Sequence, residues 1–322
     1  MLCLTRSLNE RGVELIEFLW LLTGFVLAAW GGSRFVDGAV GVARAHSVST
    51  SVVGVTLAAF ATSSPELAVA VASAIDGRPE IALGDVAGSN VANLGLVLGA
   101  AVLVRPVVVA RSELRRDLPW AVVSVIVVAV MILDDRLGRV EAAILVAVFV
   151  GWLSRVLAGS TSRGLDDGSV AAVTSSRRQV WIQVGVGLVA LVAAGRLVVV
   201  GAEGVGERFG WSDFVVGAIL VAVATSMPEF VTVLISVVRG HTGLGVGTLL
   251  GSNVFNTMFI VGVASAISEV EVDGIAVSRT LLIGAVAALM VWPWRDSRLG
   301  RWQGAVLVSM FVVHLVSVTA GG

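Results

Sequence analysis

The sequence predicts an all-α integral membrane protein, with ten transmembrane helices arranged as two inverted five-helix repeats. Three observations carry that prediction: a composition too apolar for water, ten long apolar stretches, and one segment that recurs at a fixed distance along the chain. Of the 322 residues, 57% are hydrophobic and 14% are charged, whereas a soluble domain carries about 25% charged residues. Such a surplus of apolar surface finds its solvent in a lipid bilayer, the one macroscopic partner the composition implies. A spanning helix needs about 20 mostly apolar residues. Ten stretches qualify: 15–43, 50–75, 80–104, 118–134, 139–158, 179–204, 213–238, 243–267, 278–294 and 302–319. None alternates apolar and polar residues two by two, so strands are not expected.

The main polar interruption runs from Gly159 to Arg178 and holds Ser160, Thr161, Ser162, Arg163, Asp166 and Asp167. It is too short for a folded domain and reads as a linker, 160–178, between a first five-helix half (1–159) and a second (179–322). The net charge of -1 leaves no basic excess for nucleic acid. Cys3 is the single cysteine, which excludes an internal disulfide. Residues 1–14 carry Arg6, Glu10, Arg11 and Glu14 and run straight into a long apolar stretch, so no removable signal peptide is expected. Arginines placed in the connecting segments number 13 on one side and 7 on the other. Positive residues concentrate inside, which puts both termini outside. With no organellar address, the expected location is a prokaryotic cell membrane, as a multi-pass protein. Nothing in the sequence identifies a protein partner.

The recurring segment is the strongest signal. Val53–Gly99 and Val216–Gly262 align without a gap at an offset of 163, with 18 of 47 positions identical. ATSSPE (Ala61–Glu66) answers to ATSMPE (Ala224–Glu229), and GSNVAN (Gly88–Asn93) to GSNVFN (Gly251–Asn256). Two unrelated apolar helices share Val and Leu by chance, but not Pro, Glu, Ser and Asn at fixed spacing. The copies fall on helices 2 and 3 and on helices 7 and 8. Five helices separate the equivalents, an odd number, so they cross in opposite directions. Secondary transporters use this inverted repeat and place their site at the midplane between the halves.

The residues repeated there suit a hard cation. Glu66 and Glu229 lie well inside apolar runs, where a carboxylate costs at least about 2.5–3.5 kcal/mol. Two negative charges brought together by the pseudo-symmetry would be balanced by one Ca²⁺. Thr62, Ser63, Thr225 and Ser226 add hydroxyls, and Asn93 and Asn256 add amide carbonyls; Ca²⁺ takes oxygen ligands. His46, His241 and His314 are scattered, which argues against zinc or copper. Ser63 and Glu66 share a helix face, as do Ser89 and Asn93. Pro65 and Pro228 break helices 2 and 7. The carbonyls freed directly are those of Ala61 and Ala224, and a wider break frees Ala59 and Ala222 as ligands. Gly88 and Gly251 allow close approach of helices 3 and 8.

Blander readings exist for each element. Ser63-x-x-Glu66 is also a capping box with proline in the first turn. That explains a broken helix, but not its recurrence at bilayer depth 163 residues later. The GSN motifs alone would serve as polar packing. Asp37, Asp85, Arg196 and Glu203 read as structural, Asp134, Asp135 and Arg136 as solvated loop charges, and the tryptophans as interfacial anchors.

TSSPE…GSNVAN and TSMPE…GSNVFN, in this order and spacing, resemble the sodium/calcium exchanger family of the calcium/cation antiporter superfamily, in its prokaryotic form, over nearly the whole chain. The resemblance implies ten helices with four ion sites around the two glutamates. It makes Glu66 and Glu229 the central carboxylate ligands. Thr62, Ser63, Thr225, Ser226, Ser89 and Ser252 become flanking ligands for Na⁺ or Ca²⁺, Asn93 and Asn256 the amide positions, and Ala59 and Ala222 carbonyl donors. Two positions depart from the family pattern. Ala61 and Ala224 replace a frequent Gly. Asn256 stands where several members carry Asp, which weakens the case for potassium co-transport. The acidic Gly-Asn-x-x-Glu pattern of proton-coupled members is missing.

The expected activity is therefore Ca²⁺/Na⁺ antiport by alternating access, electrogenic, with no cofactor and helices 1 and 6 as the sliding element. Two alternatives stay open: Ca²⁺/H⁺ antiport on the same fold, and a passive cation channel. An enzyme is not expected, because neither a His-Glu-x-x-His motif nor a nucleophile–base pair is present.

Overall fold

The structure, a computed structural model, describes residues 2–46, 48–109, 111–159, 177–209, 213–272, 274–292 and 298–319; the side chains of 2–18, 195, 196 and 198–213, with a few of their neighbours and those of 112 and 113, fall outside that description. Of the expected linker 160–178, residues 160–176 lie outside the described residues, as do the side chains of Arg196 and Glu203, while Arg177 and Arg178 already belong to a helix.

The described chain is almost entirely helical. Helix α1 (Leu2–Ala45) is followed by the broken pair α2 (Thr50–Thr62) and α3 (Ser64–Ile75), then by α4 (Pro79–Val104), α5 (Arg111–Met131) and α6 (Arg139–Gly159). The second half repeats the plan: α7 (Arg177–Phe209), the broken pair α8 (Phe214–Thr225) and α9 (Met227–Val238), then α10 (Thr242–Ile267), α11 (Gly274–Met290) and α12 (Arg301–Thr319). Counting each broken pair as one span gives ten membrane-crossing segments in two inverted repeats. Five of the described helices cross by length and composition, seven with the two pairs, while Ile275–Met290 is apolar but shorter. Helix α5 begins at Arg111 rather than 118. Its first turns are charged and outside any hydropathy window, and there Arg116 holds Asp117 at 2.6 Å and Ser51 at 3.1 Å.

Among the described residues none of the ten apolar stretches holds a strand, as expected, and strands occur only in the connectors between them. They form two short antiparallel ladders: β1 (Val107–Val108) with β4 (Arg298–Leu299), and β2 (Arg136–Leu137) with β3 (Val270–Glu271). At two residues each they are too short to show a periodicity. Each joins the two halves, and Val107, Leu299, Leu137 and Val270 are buried in the process. The ladders also settle how α11 runs. β1 precedes and β2 follows α5, whereas β3 precedes and β4 follows α11. Pairing β2 with β3 and β1 with β4 makes α11 start where α5 ends, so it crosses in the opposite direction despite its length.

Helices α4 and α10 form the centre. They are 83% and 78% buried, against 28–39% for the spans Leu114–Asp134, Arg139–Ala158 and Arg301–Thr319. The outward faces of the latter, such as Val123, Ile126, Val130, Ile144, Val312 and Val316, are exposed apolar surface that only lipid would cover. The centre is stitched crosswise by glycines. A Cβ at Gly251 of α10 would strike the backbone of Val55 on α2, and one at Gly88 of α4 would strike Ala218 on α8. The close approach expected from these glycines is real, but it joins helix 3 to helix 7 and helix 8 to helix 2, rather than 3 to 8. The connectors α3–α4 and α9–α10 turn identically, with Gly77 (φ 73°) and Gly240 (φ 86°) in the left-handed region that glycine enters without strain.

Helices α1 and α7 lie flush along each other. A Cβ at Gly38 would sit 2.6 Å from the Val184 nitrogen, and one at Gly187 2.5 Å from that of Phe35. Asp37 on α1 pairs with Arg239, at the end of α9, at 2.6 Å. Trp20, Trp30, Trp181 and Trp302 are exposed, as interfacial anchors are, but Trp152 is buried against Phe149, with ring centroids 5.6 Å apart.

Candidate functional site

The helix breaks place the two glutamates. At Ser63 (φ -85°, ψ 12°) and Ser226 (φ -75°, ψ 4°) the backbone leaves the helical region, and the spans bend by 42° and 43°. Proline at the start of each new helix lacks the N–H that would continue the old one. Glu66 and Glu229 therefore occupy the first turns of α3 and α9, where exposed backbone N–H groups and the helix dipole favour negative charge. Both are fully buried.

Neither serine acts as a side-chain cap of its helix. Ser63 Oγ instead donates to Glu229 Oε1 at 2.7 Å, from one half to the other, and Ser252 Oγ donates to the same oxygen at 3.2 Å. The amides knit α4 to α10: Asn90 Nδ2 donates to Thr257 Oγ1 at 2.6 Å, Asn253 Nδ2 to the Asn90 carbonyl at 3.2 Å, and Asn93 Nδ2 to Asn253 Oδ1 at 3.1 Å. That last bond leaves Asn93 Oδ1 as a free acceptor. Thr62 Oγ1 turns back to the Ala58 carbonyl at 2.9 Å.

Among the described residues, a set of buried oxygens has no hydrogen-bond partner: both carboxylate oxygens of Glu66, Glu229 Oε2, Asn93 Oδ1, Asn256 Oδ1 and Ser226 Oγ. Leaving a buried carboxylate unpaired costs several kcal/mol, roughly. Oxygens of this kind, at two helix N-termini and on the adjoining α4 and α10, are a donor set for a hard cation. The described residues contain no group of three or more His, Cys, Asp or Glu able to hold one ion, so the set rests on two acids supplemented by neutral oxygens.

Of the residues expected here, Glu66, Glu229, Thr62, Ser63, Thr225, Ser226, Ser89, Ser252, Asn93 and Asn256 are all buried at the two breaks or on the adjoining α4 and α10. The breaks are narrower than a release of Ala59 and Ala222 requires. The Ala59 carbonyl still accepts from the Ser63 N–H at 3.0 Å, and that of Ala222 from the Ser226 N–H at 3.1 Å and, more distantly, from the Ser89 and Thr225 hydroxyls at 3.4 Å. The Ala61 carbonyl accepts from Ser64 Oγ at 2.8 Å.

Several features escaped the sequence reading. Asp85, read as structural, accepts at Oδ1 from Thr225 Oγ1 at 3.0 Å and from Ser89 Oγ at 3.3 Å. Its position one helical turn before Ser89 was the available signal. Asn90, Asn253 and Thr257 also belong to the network, and Asn90 and Asn253 stand at the offset of 163. Four wide π-helical turns flank the site, Gly54–Ala58, Asn93–Leu98, Gly217–Val221 and Phe255–Ile260. Such turns are frequent at functional sites and leave no mark in hydropathy.

Two inverted five-span repeats meeting at broken helices are the architecture of a secondary transporter. Residues 16–158 and 179–320 match the profile of the sodium/calcium exchanger protein family, and the chain belongs to that family. It is 30% identical to the inner membrane protein YrbG of Escherichia coli over 307 residues, 92% of this chain and 94% of that one. It is 27% identical to the sodium/calcium exchanger MaX1 of Methanosarcina acetivorans over 342 residues, with 94% and 98% covered. Among solved structures, the sodium-calcium exchanger NCX_Mj superimposes with a TM-score of 0.80 at 25% identity, covering 94% of this chain and 99% of that one.

Proposed function

We propose that this protein exchanges Ca²⁺ for Na⁺ by alternating access. The observation that carries the reading is the pair of fully buried glutamates, one per half, with three carboxylate oxygens free of hydrogen bonds. Glu66 and Glu229 are the central ligands. Thr62, Ser63, Ser89, Thr225, Ser226 and Ser252 complete the shell through hydroxyls, Asn93 and Asn256 through amide oxygens, and Ala59 and Ala222 through their carbonyls. Membership of the family supports this assignment, as do the printed names of MaX1 and NCX_Mj.

One Ca²⁺ neutralises the two glutamates, and three Na⁺ leave an excess of about one positive charge. Exchange is then electrogenic, biased by about 2.3 kcal/mol per charge per 100 mV. The two sets of ions compete for the same oxygens, which couples their movement. Helices α1 and α7 slide together against the central bundle and open the site to alternate faces. The halves are 1–159 and 177–322, joined by the linker 160–176, in a cell membrane with both termini outside. Asn256 makes the site indifferent to K⁺.

The test is radiolabelled Ca²⁺ uptake into proteoliposomes preloaded with Na⁺, against matched vesicles loaded with K⁺ or choline at equal pH. Uptake only with the outward sodium gradient is the expected result. Uptake indifferent to sodium but driven by an outward proton gradient would overturn sodium coupling and move the protein to the proton-coupled branch. Uptake needing no counter-ion gradient would make it a passive channel.

A further inference from the structure

The two halves differ at one position that matters for charge. Asp85 on α4 and Thr248 on α10 are equivalent at the offset of 163. Thr248 Oγ1 turns back to its own helix, donating to the Leu244 carbonyl at 2.8 Å. Asp85 instead reaches across to α8, where the Thr225 hydroxyl lies 3.0 Å from its Oδ1 and 2.9 Å from the Val221 carbonyl. It also captures Ser89 Oγ at 3.3 Å, whereas the equivalent Ser252 serves Glu229. Ser89 Oγ lies 3.4 Å from the Ala222 carbonyl as well. A carboxylate, two hydroxyls and a carbonyl thus lie together, and of these the carboxylate has no counterpart in the other half.

Asp85 is fully buried, its Oδ2 has no hydrogen-bond partner, and none of the ion pairs among the described residues includes it. It lies within range of charge repulsion from both glutamates. Two hydroxyl hydrogen bonds to one oxygen do not neutralise a carboxylate at this depth; a proton or a bound cation must, and the neutral oxygens beside it offer a cation further ligands. The three acids do not converge on one point, so that cation is not the Ca²⁺ held between the glutamates. A single carboxylate with three neutral oxygens matches one monovalent ion.

We infer that Asp85 is a third carboxylate ligand of the transport site, holding one Na⁺ together with Thr225, Ser89 and the Ala222 carbonyl. The inference rests on the two-glutamate reading and extends it: with Asp85 counted, three Na⁺ balance three carboxylates and one Ca²⁺ leaves one negative charge, so the two loaded states still differ by one charge. It makes the site charge-asymmetric between the halves, with sodium selectivity concentrated on the side of the second helix break.

Asp85→Asn keeps the acceptor oxygen and the volume and removes only the charge. Asp85→Thr writes in the residue its repeat equivalent carries, and serves if the amide does not fold. The measurement is thermal stabilisation of purified protein in detergent, by NaCl without Ca²⁺ at fixed ionic strength, and by CaCl₂ without Na⁺. In the variant, the half-saturating Na⁺ concentration is expected to rise about tenfold or more, the effect of deleting an adjacent charge, and the half-saturating Ca²⁺ concentration to change less than about threefold, the ordinary context dependence of a neighbouring group. An unchanged Na⁺ response overturns the role of Asp85 and leaves the glutamate site standing. An equal shift for both ions also overturns it, because Asp85 would then act on the whole site. A wild-type protein that responds to Ca²⁺ but not to Na⁺ overturns sodium binding altogether, the reading of the site included.

Discussion

Ser63, at the break in the first half, donates its hydroxyl to Glu229, at the break in the second, across 2.7 Å. The bond makes the first half contribute to the glutamate of the second, with no reciprocal bond from Ser226 to Glu66, and it uses a serine that would otherwise cap its own helix. A hydrogen bond to a charged group contributes about 1.5–3 kcal/mol. Ser63→Ala is expected to lower the melting temperature of the calcium-free protein, measured in detergent with a chelator. Saturating Ca²⁺ should narrow the gap, because the ion takes over compensation of the carboxylate. An equal loss with and without calcium would show the serine to be merely structural.

Calcium itself should stabilise the wild type. A ligand at 100 times its Kd adds about 2.7 kcal/mol to the folded state. Glu66→Gln and Glu229→Gln are expected to abolish both that shift and exchange in proteoliposomes. They should not lower the melting temperature without ions, since each removes a buried charge. A variant of either glutamate that still moves Ca²⁺ at the normal rate would refute the site.

The crosswise glycines give a steric test. Gly88→Ala and Gly251→Ala each drive a methyl into the backbone of a facing helix, which cannot rotate away. Overpacking of this kind costs about 1–3 kcal/mol, and more when backbone is struck. Folded yield after solubilisation should fall sharply. Gly151→Ala and Gly185→Ala meet nothing within 4 Å and serve as controls with unchanged yield.

The Asp37–Arg239 pair ties α1 to the connector after α9, and both side chains are partly exposed. Exposed pairs contribute at most about 1 kcal/mol, so Asp37→Asn should barely alter melting. If α1 slides, however, locking this contact stops the cycle. Cysteines at 37 and 239, in a background with Cys3→Ser, are expected to block exchange when joined by a short reducible crosslinker, with recovery on reduction. Full exchange in the crosslinked protein would exclude α1 as the moving part.

The glutamates, serines and amides could be read from the sequence because a repeated segment tests itself: Pro, Glu, Ser and Asn recurring at one offset are not explained by helix packing. The same logic hid Asp85. Its counterpart is Thr248, so comparing the halves had nothing to match, and a lone acid near a span end looks like an interfacial charge. The role of Ser63 was ambiguous for a different reason. A capping box and a bond across the halves use the same residues, and only the geometry separates them. Ala59 and Ala222 were expected to be freed by wide breaks. The serine N–H groups at 63 and 226 keep the helical bond to them, so proline interrupts the ladder over a shorter length than the motif suggests. Strands of two residues and π-helical turns have no periodicity to detect.

The two β-ladders set an order of events during synthesis. β1 and β2 both belong to the first half, and both find their partners only after residue 269. The first five spans are therefore made and inserted with two open strand edges, one on each face of the membrane. Those edges close only when the connectors on either side of α11 emerge, so the joining of the two halves at both faces waits on the ninth span.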